Sequence, residues 1–118
     1  MKRDWDCIRA ILIALDDKGD TVSAVRPENI NGFDSDTVSY NIRLLIDARL
    51  IDGTCIKPTD GSLRCLAFEM KWDGHELLDR MRSDTLWNRI KSAARERAIP
   101  LSFDVVKILG TEIIKNLI

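Results

Sequence analysis

Tyr40 and Arg43 stand three residues apart in a stretch rich in hydrogen-bond donors, with Thr37, Ser39 and Asn41 beside them. An aromatic hydroxyl, a guanidinium and small hydroxyl and amide groups on one helix are what a duplex meets when a helix enters its major groove. Lys57 and Arg64, a little further along the chain, would add phosphate contacts. Asp36 and Asp47 fall on the same helix face as Tyr40 and Arg43, and carboxylates there repel phosphates. A pI of about 5.8 also lies below the basic range of strong nucleic-acid binders. The leading expectation is double-stranded DNA, read by a dimer; the alternative is a protein partner without any DNA contact.

Other chemistry finds less support. Nucleophilic catalysis needs a serine or cysteine with a positioned base, and the single histidine, His75, has no partner motif; it is expected to be structural, packed and hydrogen-bonded under a hairpin. The carboxylates Asp16, Asp17 and Asp20 lack the spacing of a calcium loop, and no glycine-rich phosphate loop is present. Cys7, Cys55 and Cys65 are odd in number and without CxxC spacing, which predicts neither a disulfide framework nor a zinc site. Cys55 and Cys65 are expected to face each other as small hydrophobes, with a metal site including His75 the weaker alternative. The reading is therefore a non-enzymatic protein with no cofactor and no metal.

The elements that must position these groups follow from periodicity. Asp4 caps a first helix whose Trp5, Ile8, Ile11, Leu12 and Leu15 form one apolar stripe, and Gly19 is expected to end it. Thr21 to Val25 reads as a short strand, and Asn31-Gly32 limits any helix near Pro27 to about one turn. Asp34 or Ser35 caps a helix over residues 35–48 that buries Val38, Ile42, Leu45 and Ile46 and turns Asp36, Tyr40, Arg43 and Asp47 outward. Two apolar runs joined by Pro58 to Ser62 predict a hairpin over about residues 50–71, with Leu66, Phe68, Met70 and Trp72 on its core face. Three helices complete the chain: one over Trp72 to Arg82, one capped by Ser83 carrying Trp87, Ile90 and Ala94, and, beyond Pro100, one capped by Ser102 carrying Val106, Leu109, Ile113 and Leu117.

Helix followed at once by hairpin is the arrangement of a recognition helix and wing. The predicted fold class is thus α+β, mostly helical: a winged helix-turn-helix core over 1–72, with a two- or three-stranded wing sheet, and a C-terminal helical extension over 73–118. All 118 residues form one domain by length, and 45% hydrophobic residues suffice for a core. Apolar runs are too short to span a bilayer and the first residues lack a signal-peptide profile, so a cytoplasmic, membrane-free protein is expected. Net charge is −1 but unevenly spread: Arg80, Arg82, Arg89, Lys91, Arg95 and Arg97 form a basic patch opposed only by Asp84 and Glu96. The last helix, with Ile108, Ile113, Ile114, Leu117 and Ile118 spread around it, predicts a homodimer or a docked partner.

Met1 to Asp4, Val38 to Ile51, Trp72 to Trp87 and Leu101 to Lys107 together resemble a family of small bacterial and phage-associated proteins known as domain of unknown function 2513. The resemblance covers nearly the whole chain. It implies a winged-helix fold and a phage or prophage setting but no established activity; joined to the reading of helix 35–48 as a recognition helix, it leads to the expectation of a DNA-binding transcriptional regulator. The chain departs from the family pattern at three places. Asn41 replaces a common histidine, Lys71 a helix-capping threonine, and Arg49 a glycine; a positive φ at Arg49 would cost about 1 kcal/mol.

Overall fold

The computed structural model describes residues 1–59 and 61–117, so Asp60 and Ile118 lie outside the description. It is mixed α+β and mostly helical: α1 (Trp5–Asp17), a 3₁₀ turn (Pro27–Asn29), α2 (Ser35–Asp47), β1 (Ile51–Ile56), β2 (Arg64–Met70), α3 (Trp72–Met81), α4 (Asp84–Glu96) and α5 (Phe103–Leu117). The chain divides into two compact units, residues 1–75 and 76–118, and α3 begins in the first and ends in the second.

In the first unit, the Asp4 carboxylate accepts from the Cys7 backbone N–H at 3.0 Å, satisfying one of the donors that a helix start leaves open. Cys7, Ile8, Ile11, Leu12 and Leu15 are buried along α1. The helix closes on Lys18 in an extended conformation rather than on Gly19, which does not take a positive φ. The segment after it is held by Asp20, whose side chain accepts from the N–H groups of Val22 and Ser23 and from the Ser23 hydroxyl. The strand expected over Thr21 to Val25 is reduced to one antiparallel bridge, Val25 to Ala67, with both backbone bonds made at 2.7 and 3.0 Å.

Asp34 caps α2 by accepting from the Thr37 N–H at 2.8 Å, and Val38, Ile42 and Leu45 bury the inner side while Ile46 is half-buried. At the far end Arg49 takes φ 61°, its N–H donating to the Ile46 carbonyl, while the Leu50 N–H reaches the Leu45 carbonyl. This pair of bonds is the Schellman motif, which wants a left-handed residue where Arg49 stands. The same pattern ends α4, where Ala98 has φ 54° and the N–H groups of Ala98 and Ile99 donate to the carbonyls of Arg95 and Ala94.

β1 and β2 pair antiparallel, with Gly53 opposite Ala67, Cys55 opposite Cys65, and a bulge at Asp52/Gly53 that leaves Phe68 without an opposite number. The expected inward face is the wrong one. Cys65 and Ala67 are 0% exposed, whereas Leu66 and Met70 are half-buried, Phe68 is 36% exposed and Trp72 79% exposed. Since strand side chains alternate, a shift of one position exchanges the faces. The small residues turn inward because the backbone of β2 lies close to α2 and to Val25, and Gly53 has no room for a methyl between the Leu66 carbonyl and the Ile46 side chain. Cys55 and Cys65 are joined as a disulfide with their Cα atoms 4.1 Å apart, contrary to the parity argument, since one bridge needs only two of the three cysteines. That spacing suits a directly opposed pair that does not exchange backbone hydrogen bonds.

In the second unit, Ser83 caps α4 by accepting from the Leu86 N–H, and Ser102 caps α5 by accepting from the Val105 N–H. Trp87, Ile90, Ala94, Val106 and Leu109 are buried, and Gly110 lets the aliphatic stem of Arg80 lie against α5. Ile113 is half-buried; Ile108 and Ile114 are exposed; the Leu117 side chain and Ile118 lie outside the description.

Two non-glycine residues at left-handed helix ends define a stability test. Arg49→Gly and Ala98→Gly should each raise stability by about 0.5 to 1 kcal/mol, the strain relieved exceeding glycine's extra chain entropy. Urea melts of the single variants check this, and unchanged or lowered midpoints would contradict it.

Candidate functional site

The exposed flank of α2 and the hairpin beside it form the candidate surface. Of the seven residues expected to meet DNA, two do not reach it. Ser39 and Asn41 are 1% and 0% exposed. Ser39 Oγ accepts the Cys65 backbone N–H at 3.1 Å, and Asn41 accepts from the Asp4 N–H and donates to the Thr37 carbonyl, both at 2.9 Å. Their polarity serves internal bonding, because a buried polar group left without partners costs about 1 to 3 kcal/mol.

The others divide by what already holds them. Thr37 is half-buried and its hydroxyl donates to Asp34. Arg43 is exposed and lies 3.9 Å from the Asp47 carboxylate on the next turn, a solvated pair of small energetic weight. Arg64 grips Glu28 of the 3₁₀ turn through two N–H groups, the second at 3.1 Å. That hydrogen bonding lowers the Glu28 pKa and raises that of Arg64. Tyr40 is half-buried and, with Asp36, Met1, Gly61, Ser62 and Leu63, lines a hollow of about 220 Å³ between α2 and the hairpin tip. Lys57 is exposed at the end of the hairpin. Among the described residues, Tyr40 and Lys57 alone of the seven are exposed or half-exposed without engaging a carboxylate.

Three residues of the basic patch of the second unit are similarly committed. Arg80 donates to the Glu76 carboxylate at 2.9 Å, Lys91 sits 5.4 Å from the Trp87 ring centre, and Arg97 lies 3.7 Å from Glu112. Arg82, Arg89 and Arg95 are exposed, Arg89 on an open groove of about 500 Å³ that also touches Thr85, Asn88, Ser92, Glu96 and Ile113.

The residue types able to do chemistry lie elsewhere. His75 is exposed rather than packed under the hairpin. Burial, helped by Asp4 and Asp34, pushes the Cys7 thiol up to about 12, so it stays protonated. Among the described residues no cluster of three or more His, Cys, Asp or Glu side chains could hold a metal, and no helix is long and apolar enough to cross a membrane.

The surface also includes apolar groups, of which periodicity assigned Leu66, Phe68 and Trp72 to the core. Ile56 is 57% exposed, and with Phe68, Trp72 and half-buried Leu66 it places apolar area on and beside the hairpin. The Glu28–Arg64 clamp carries no signal in the sequence, since nothing local links residues 36 positions apart.

Residues 2–100 match the family described as Hypothetical protein (DUF2513). An uncharacterized protein of Haemophilus influenzae is 37% identical over 118 residues, which cover 100% of this chain and 99% of that relative. No solved structure matches the chain.

Acid sensitivity arises from the carboxylates. Backbone bonds hold Asp34 below its usual value, bonds to Ser23 bring Asp20 from 3.8 to about 2, and Arg64 lowers Glu28. Groups with depressed folded pKa values stabilise the fold above their unfolded values, and that contribution fades as pH falls toward the folded ones. Thermal midpoints should therefore drop between about pH 4.5 and 2, and the drop should shrink in Asp20→Asn with Glu28→Gln. An identical acid profile in the double variant would contradict the assignment.

Proposed function

The chain belongs to the DUF2513 family, and we propose that residues 1–75 are a winged-helix module that docks on a protein partner and carries out no catalysis of its own. What supports the winged reading is the order α1, bridging segment, short turn, α2 and hairpin, with Val25 standing where a first strand would. That fold serves both nucleic-acid and protein recognition, so the surface decides.

One observation carries the protein reading: the surface offers apolar and aromatic area where a DNA binder would offer free cations. Arg43 and Arg64 face carboxylates, Asp36 and Asp47 stand exposed on the presented flank, and Trp72, Ile56 and Phe68 are exposed. Aromatic and large aliphatic groups anchor protein interfaces, whereas duplex affinity comes mainly from phosphate contacts. Ile108 and Ile114 on α5 supply a second apolar area, where a homodimer would form.

Duplex DNA is the second reading, favoured by Tyr40 and Lys57, which stand on the helix and hairpin that a winged helix turns toward DNA. In this reading the protein is a phage- or prophage-associated transcriptional regulator, and Arg43 exchanges Asp47 for a phosphate.

Two measurements on the full-length protein separate these readings. A photo-crosslinking residue at Trp72 should trap one discrete protein in the native host, lost in Phe68→Ala, while labelled duplex DNA near physiological salt gives no saturation below about 10 µM. Salt-sensitive duplex binding tighter than this, weakened by about 1 to 3 kcal/mol in Arg43→Ala, would replace the protein reading with the DNA one.

A further inference from the structure

We infer that the Cys55–Cys65 bridge is a thiol–disulfide exchange site, attacked at Cys55 and opened by dithiols, that staples the hairpin tip to the presented flank of α2. The two sulfurs are unequal in access: Cys55 is exposed and Cys65 is 0% exposed. Attack must come in line on a reachable sulfur, which selects Cys55. Beyond the bridge lie Lys57 to Thr59 and Gly61 to Leu63, and Gly61, Ser62 and Leu63 line the hollow with Asp36 and Tyr40. On the other side of the bridge Cys65 is tied to α2 through Ser39. The disulfide thus joins the strand that α2 holds to the strand that leads into the tip.

The chemistry balances as a two-electron exchange. One thiolate of a dithiol attacks Cys55 Sγ, forming a mixed disulfide; the Cys55–Cys65 bond breaks, its electron pair leaves on Cys65 Sγ, and that sulfur takes a proton. The reagent's second thiolate attacks its own sulfur in the mixed disulfide, closing a cyclic disulfide and releasing Cys55, which is protonated in turn. The dithiol is oxidised and the protein bridge reduced. A monothiol has no second arm on the same molecule. Cys65, held directly opposite Cys55, then re-forms the bridge faster than another monothiol arrives.

Thiol counting after denaturation tests this on the native chain. Protein as purified in air should show one free thiol, that of Cys7. Incubation of the folded protein with dithiothreitol should raise the count to three, and the same total thiol as glutathione should leave it at one. Oxidised glutathione should add to Cys55 in Cys65→Ser at least tenfold faster than to Cys65 in Cys55→Ser. On reduction, amide exchange over 57–63 should accelerate more than over α1. Three free thiols before reduction, resistance to dithiothreitol until unfolding, or equal adduct rates at the two cysteines would each overturn the inference.

Discussion

The hydrogen bond from the Cys65 backbone to Ser39 Oγ is the contact on which the first unit depends. It is buried and it joins α2 to the start of β2, so that helix and hairpin move as one body. With it set, Ala67 is presented to Val25, Cys65 is placed opposite Cys55, and Gly53 is brought under Ile46. Asn41, one residue beyond Tyr40, does the same at the other end by holding the backbone of Asp4 at the start of α1. Two polar side chains on the inner flank thus fix three elements, and each is retained there because its partners are complete.

This arrangement decides what α2 can offer. Its polar residues are split between inside and outside: Ser39 and Asn41 spend their polarity within the fold, and Asp36, Tyr40, Arg43 and Asp47 remain at the surface. A helix in this position with free arginines would suit a duplex. Here Arg43 and Arg64 meet acidic neighbours, while β2 turns Phe68 outward and Trp72, at the start of α3, is exposed. The fold therefore withholds the Ser39 and Asn41 donors from the candidate surface and leaves apolar area on it, which is why the proposed partner is a protein.

The local signals were legible. Asp4, Asp34, Ser83 and Ser102 each cap the helix that their position announced, because a capping side chain followed by an apolar stripe is a short-range pattern. Asn31-Gly32 limits the 3₁₀ turn as expected, and the concern over Arg49 is answered by its φ of 61°. What escaped was tertiary. Both faces of β2 are apolar in sequence, and only the bulge and the closeness of α2 choose Cys65 and Ala67 over Leu66 and Phe68. Ser39 and Asn41 look like surface donors until their distant partners, Cys65 and Asp4, are in place. The disulfide escaped because counting cysteines ignores which of them the register sets opposite each other.

Amide hydrogen exchange at Cys65, measured by NMR on the oxidised protein, tests the central contact most directly. Protection of the Cys65 N–H should be comparable to that of the Ala67 N–H, which is bonded to Val25, and should be lost in Ser39→Ala while α1 stays protected. Exchange at Cys65 as fast as at the exposed hairpin tip in the unmodified protein would show that α2 does not hold the hairpin, and the proposed docking surface would not exist as one piece.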